Sequence, residues 1–214
     1  MFVSDWMTTK VLTVGPDDSV ASAMELIRDK RVKHIPVVKG ARLVGIVSDT
    51  DIREYTPSRA TSLDVYELNY LLAKAKVREI MKTEVVTVAA SAPIEEAAML
   101  LSDRDIGSLP VIEEGALVGI ISDRDIFRAL IDITGVRHGG YRIYLQVDDR
   151  AGSIREVADL VREAGFHIQG LLTSYEKVEP GKRKVVLRTH GDGDIAALRR
   201  RLEALHAGAV ISGS

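Results

Sequence analysis

A chain of 214 residues, 46% hydrophobic and 28% charged, has the composition of an ordinary folded protein of one or two domains. Its 29 Lys and Arg against 31 Asp and Glu leave a formal charge of -2, so there is no strong positive field to attract nucleic acid or anionic lipid. The lack of cysteine excludes disulfides, thiolate nucleophiles and thiolate metal sites, and no run of apolar residues is long enough to offer a membrane span.

The first elements come as a short extended segment, Val11 to Val14, and a break at Gly15-Pro16-Asp17-Asp18. Val20, Ala23, Met24 and Ile27 then recur at i, i+3, i+4 and i+7, the apolar face of a helix. Ile35 to Val38 reads as a strand, Lys39-Gly40-Ala41-Arg42 as a hairpin loop, Leu43 to Val47 as a second strand, and Ser48 as the start of another helix. Arg53 to Lys76 follows. Its Pro57-Ser58 break and its Leu63 to Lys74 stretch predict an inserted helix docked through Leu68, Leu71 and Leu72.

The order then starts again. Displaced by 74 positions, residues 3–52 align with 77–126 without a gap, and 19 of the 50 pairs are identical. Leu43-Val44-Gly45-Ile46, Ser48-Asp49 and Asp51-Ile52 return as Leu117-Val118-Gly119-Ile120, Ser122-Asp123 and Asp125-Ile126, and Pro36-Val37 returns as Pro110-Val111. Ile94, Ala97, Ala98 and Leu101 repeat the helical stripe, and Glu113-Glu114-Gly115-Ala116 repeats the turn. A unit this small, present twice, is expected to pack against its twin and to leave related clefts between the copies.

Thr134-Gly135 and His138-Gly139-Gly140 mark a boundary. Beyond it Tyr141 to Val147 alternates as a strand, Asp148 to Gly152 is a loop, and Ile154, Val157, Ala158 and Val161 form a helical stripe ending at Gly165. Phe166 to Tyr175 and Lys184 to Thr189 are two strands joined through Pro180-Gly181. Asp194 opens a helix with Ile195, Leu198, Leu202 and Leu205 inward, and Ala209-Val210-Ile211 closes the sheet. This is the βαββαβ order of a ferredoxin-like fold, in an α/β (α+β) chain. The basic runs Lys182-Arg183-Lys184 and Arg199-Arg200-Arg201 read as solvated surface.

Ser48-Asp49-Thr50-Asp51 and Ser122-Asp123-Arg124-Asp125 carry the chemistry. Taken alone, Ser-x-x-Asp at a helix start is a capping box, with the acid near the positive helix end. Present twice, it also offers what a nucleotide needs: free amides for phosphate, and a fixed carboxylate to accept two hydrogen bonds from a ribose diol. On these motifs, residues 3 to about 128 resemble the cystathionine-β-synthase (CBS) domain family, whose paired units form a Bateman module.

The resemblance implies a regulatory adenosyl ligand, AMP, ADP, ATP or S-adenosylmethionine, held between the copies, with no cofactor required. Carried over by position, Asp51 and Asp125 would hold ribose hydroxyls, and Ser48 and Ser122 ribose or phosphate. Thr13, Val14, Thr87 and Val88 would sit beside the base. Lys33 and His34, just ahead of Ile35 and Pro36, hold the place where some members of that family present basic phosphate contacts, and alternatively read as exposed residues at a strand start; the second copy departs from this, with Gly107 ahead of Ser108, Leu109 and Pro110. Thr50 and Arg124 hold matching positions, and the Arg124 guanidinium could take a phosphate bidentately.

Asp149, Ala151, Gly152, Ser153 and Ile154 resemble the Asp-x-Pro-Gly-x-Leu loop of the ACT domain family, with Ala151 for Pro and Ile154 for Leu. That implies an amino acid as a second ligand. Gly152 alternatively reads as a close-packed turn before a helix. The expected organisation is 1–56 CBS repeat 1, 57–76 helical insertion, 77–134 CBS repeat 2, 135–140 linker and 141–214 ACT domain. Two CBS units followed by ACT resemble the AcuB family, associated with acetoin utilization.

Five histidines, His34, His138, His167, His190 and His206, lie far apart without metal-ligand spacing, and no nucleophile elbow or phosphate-binding loop is present. The expectation is therefore a non-enzymatic, metal-free regulator. It would be cytoplasmic and homodimeric, acting on a protein target that the sequence does not name, with neither nucleic acid nor membrane as partner. The competing class is a structural dimerisation module that has lost its ligands.

Overall fold

The computed structural model describes residues 1–56, 64–206 and 208–213. Its elements run α1 (Val3–Trp6), α2 (Val20–Lys30), β1 (His34–Lys39), β2 (Arg42–Ser48), α3 (Asp49–Tyr55), α4 (Val65–Lys74), β3 (Val88–Ala89), α5 (Ile94–Asp103), β4 (Ser108–Glu113), β5 (Ala116–Ser122), α6 (Asp123–Ile133), β6 (Tyr141–Asp148), α7 (Ser153–Glu163), β7 (His167–Ser174), β8 (Lys182–His190), α8 (Ile195–Leu205) and β9 (Val210–Gly213). By contacts the chain divides into Met1–Ile126 and Phe127–Ser214, a division that falls inside α6.

In each repeat two strands form a hairpin. β1 pairs antiparallel with β2 from His34↔Ser48 to Lys39↔Arg42, and β4 with β5 from Ser108↔Ser122 to Glu113↔Ala116. The two-residue loops use different turns: only Gly40 has positive φ in the first, at 66°, whereas Glu114 and Gly115 both do in the second, at 49° and 81°. A loop with left-handed backbone at its first position, or at both, matches the twist of the strands it joins. The preceding extended segment adds a parallel rung, Val14 to Val37 in one copy and Val88 to Val111 in the other. Ser19 caps α2 by accepting from Ser22 N at 3.1 Å. Val20, Ala23, Ile35, Val37 and Val47 are fully buried beneath that helix, and Leu72 of α4 joins the same cluster.

The two repeats exchange their leading segments. Val3 N donates to Ala92 O and Ser4 N to Ala90 O, while Val77 N donates to Asp18 O and Arg78 N to Pro16 O, the same four positions 74 residues apart. Thr8 then pairs with Ile120 of the second hairpin, and Lys82 with Ile46 of the first. The glycines one residue earlier on those strands make the crossing possible. A Cβ at Gly45 would lie 3.0 Å from Lys82 O and 2.7 Å from Met81 Sδ, and one at Gly119 would lie 3.3 Å from Thr8 O and collide with Met7 Sδ.

The second unit is a four-stranded antiparallel sheet in the order β7-β8-β6-β9, which for a βαββαβ chain is the ferredoxin-like order. Ile143, Leu145, Val147, Val185 and Leu187 face α7 and α8 and pack on Val157, Val161, Leu198 and Leu202.

Several expectations need correction. Leu71 and Leu205 are 45% and 65% exposed: Leu71 lies one position off the stripe that its helix buries through Leu72, and Leu205 is the last residue of its helix, beyond the buried Leu202. Arg183 lies within β8 with its side chain only 17% exposed, because a strand in a sheet places alternate residues on one face whatever their charge. Pro57-Ser58, Leu63 and the side chain of Leu68 lie outside the described residues.

Candidate functional site

Each hairpin ends in the Ser-x-x-Asp turn, where a strand becomes a helix and its first amides need partners. At the end of β2, Asp51 Oδ2 accepts from Ser48 N at 2.8 Å and from Ser48 Oγ at 2.5 Å, and Asp51 N donates back to Ser48 Oγ at 3.2 Å. At the end of β5, Asp125 Oδ2 accepts from Ser122 N at 2.9 Å and from Ser122 Oγ at 2.7 Å. The reciprocal capping box is complete at Ser48 and Asp51, its serine-to-carboxylate half recurs at Ser122 and Asp125, and the carboxylates are buried or nearly so, with Asp125 6% exposed and the Asp51 side chain 9%.

The strand starts hold the turns in place. Asp49 N donates to Lys33 O and Asp123 N to Gly107 O, while His34 and Ser108 stand opposite Ser48 and Ser122 in the ladders. The His34 ring lies against Gly107 of the other copy, where a Cβ would come within 3.0 Å of its Cε1. A side chain at 107 would displace the imidazole. Burial pushes the His34 pKa below its usual 6.5 against the opposing pull of Asp49, Asp51 and Asp123, with Lys33 also lowering it. Carboxylates of both copies therefore act on a single ring, which places the two turns in one electrostatic neighbourhood.

Around this shared centre the copies differ. Lys82 Nζ lies 3.4 Å from Asp51 Oδ1, its own side chain 70% exposed. Thr8 of the first repeat holds the corresponding place beside the second hairpin, without a charge. Ser108 Oγ is buried without a hydrogen-bond partner, a state that costs about 1–3 kcal/mol for a hydroxyl.

The other expected positions divide by depth. Thr13 and Thr87 are exposed on the extended segments, and Val14 and Val88 beside them are buried at 6% and 5%. Ile35 and Leu109 are fully buried and Pro36 and Pro110 are buried, so these four can offer a ligand little beyond backbone. Lys33 is exposed. Thr50 Oγ1 accepts from Arg53 at 3.2 Å, and Arg124 is exposed, with its N–H on Asp123.

Thr87 lines a cleft of about 470 Å³ between the hairpins, together with Thr83, Val85, Leu43, Ile112 and Gly115. This cleft lies at the loop end of β2, whereas Ser48 and Asp51 lie at its far end. At the equivalent place in the other orientation, Leu117 N donates to Ala41 O and ties the hairpins together. Lys82 was not anticipated from sequence. The signal available was the repetition of Met7 and Met81 with Gly45 and Gly119, pairs that meet only across the copies.

In the second unit the loop before α7 is built around Gly152, whose φ of 91° suits glycine. A Cβ there would meet nothing within 4 Å, so backbone conformation rather than close packing requires the residue. Ser153, 2% exposed, accepts from Arg183 at 3.0 Å and donates to Arg150 O at 3.1 Å. Asp149 lies 3.6 Å from Arg183 Nε and accepts from Tyr175 Oη at 3.4 Å. Ala151 is exposed, and Ile154 packs against the core. Among the described residues no cluster of three metal-ligating side chains occurs, and no helix is long and apolar enough to cross a membrane.

The sequence profile of the CBS domain matches residues 3–58 and 77–132, more than half of the chain. The chain belongs to the CBS domain family. It is 32% identical over 124 residues to the CBS domain-containing protein YhcV of Bacillus subtilis, covering 58% of this chain and 81% of YhcV. Among solved structures it is similar to CBSX2 in complex with AMP, at 34% identity and TM-score 0.51 over 62% of this chain and 97% of CBSX2. It also resembles a Vibrio cholerae protein named for acetoin utilization (AcuB), at 29% identity and TM-score 0.55 over 64% of this chain and 96% of that one. The match spans 46% of the longer Methanocaldococcus jannaschii protein MJ1225 and 34% of the inosine-5'-monophosphate dehydrogenase of Korarchaeum cryptofilum.

Proposed function

We propose that this CBS-domain protein is a cytoplasmic, non-enzymatic sensor that binds an adenosyl nucleotide at the paired Ser-x-x-Asp turns. The observation that carries the reading is the duplicated turn. Each turn holds a buried carboxylate fixed by its serine, carboxylates of both turns (Asp49, Asp51 and Asp123) act on the half-buried His34, and Ser108 adds a hydroxyl still in need of a partner. A carboxylate has about four lone-pair sites, so Asp51 and Asp125 can cap their helices and still accept from a ribose. Lys82, 3.4 Å from Asp51 with its own side chain 70% exposed, is able to turn toward phosphate. The likeness to CBSX2, solved with AMP, supports the ligand class.

In this reading the C-terminal unit is an ACT domain that answers to an amino acid at residues 149–154, the protein is a homodimer, and the nucleotide signal is passed to a protein target. The test is a thermal-shift panel of AMP, ADP, ATP and S-adenosylmethionine, with amino acids beside them. A ligand at ~100 times its dissociation constant adds ~2.7 kcal/mol of stability. At least one adenosyl compound is expected to do so; a flat panel would leave the structural dimerisation module as the better account.

A further inference from the structure

The ferredoxin-like sheet has a second face, turned away from α7 and α8, and a cavity of about 380 Å³ opens on it. Its walls are apolar: Leu172 and Val186 from the sheet, Leu130 and Ile131 from the last turns of α6, and Val136 just beyond. Gly170 lets the helix end come close, since a Cβ there would lie 2.7 Å from Ile133 O. Two arginines break the apolar lining. Arg142 on β6 and Arg188 on β8 stand directly opposite each other in the ladder.

Like charges at paired positions of neighbouring strands repel. Arg188 is 8% exposed and donates to Gly139 O at 3.3 Å, so it cannot swing away into water. Arg142 is exposed and makes no ion pair among the described residues. Paired guanidiniums beside an apolar cavity form a site for an anion with an apolar body, and their fork geometry matches a carboxylate. At roughly 30 Å³ per water-sized group, the cavity takes about a dozen non-hydrogen atoms.

We propose that this cavity binds a small carboxylic acid with an apolar tail, its carboxylate on Arg142 and Arg188 and its tail against Leu130, Ile131, Leu172 and Val186. The site lies wholly within the second unit, separate from the nucleotide turns and from residues 149–154.

Octanoate is the probe. Titrated calorimetrically into the full chain, it is expected to bind saturably, one per chain, with octanamide, which keeps the tail and loses the charge, at least tenfold weaker. Arg142→Gln, at an exposed position, is expected to weaken octanoate about tenfold without changing the melting temperature. Ile131→Phe fills the cavity and should abolish binding; if that variant fails to fold, the milder Val186→Ile supplies the same test by lowering affinity. Equal binding of acid and amide, or octanoate binding that neither Arg142→Gln nor the cavity-filling variant alters, would overturn the proposal.

Discussion

The two CBS repeats have kept their architecture and changed what surrounds their sites. Positions that bury side chains or cap helices match across the 74-residue offset: Val37 and Val111, Gly45 and Gly119, Ser48 and Ser122, Asp51 and Asp125. Positions that meet at the shared centre differ. Around the first turn stand Lys33, His34 and, crossing from the second repeat, Lys82; around the second stand Gly107, Ser108 and, crossing from the first repeat, Thr8. A small side chain in one copy makes room for a large one in the other, as Gly107 does for His34. The surroundings of the two turns are therefore not equivalent.

If the shared architecture is equivalent, its disruption should cost the same in either copy. Ile35→Ala and Leu109→Ala remove fully buried side chains at matching positions, and each is expected to lower stability by about 2–5 kcal/mol. Denaturant titration reads both; a cost confined to one copy would break the comparison. Gly45→Val and Gly119→Val drive methyl groups into the crossing segments at Lys82 and Thr8, with an expected loss of about 1–3 kcal/mol each. A neutral result for either would mean that the exchange of leading segments is loose in that copy.

The smallest effect separates the copies. Burial lowers the His34 pKa below 6.5, so between the folded value and 6.5 the unfolded chain binds the extra proton and stability rises with pH. Lowering the pH from 7.5 through 6.5 should thus lower the melting temperature until the folded pKa is passed. His34→Gln is expected to remove that slope, and Ser108→Gln to leave it in place. A slope unchanged in His34→Gln would assign the pH response to other groups.

The sequence makes the repeat, both hairpins and both capping turns legible because each is a local pattern or a direct self-match. Gly152 and Asp194 likewise announce a turn and a cap within a few residues of where they act. The pairing of Lys82 with Asp51, and of His34 with Gly107, joins residues some thirty to seventy positions apart, and no local periodicity records it. Arg183 was misjudged for a related reason. A basic triplet looks solvated until the sheet places its middle member beside Ser153 and Asp149.

The central claim is that the two buried carboxylates bind nucleotide as well as cap their helices, and AMP titration of Asp51→Asn and Asp125→Asn beside the parent protein tests it most directly. An asparagine keeps the shape and a capping oxygen but loses the charge, so AMP affinity at the altered site is expected to fall by roughly 1.5–3 kcal/mol, about ten- to a hundred-fold. Melting temperature should change far less, because the amide still supports the first turn. Unchanged AMP affinity in both variants, with a large drop in melting temperature, would show that Asp51 and Asp125 serve the fold alone.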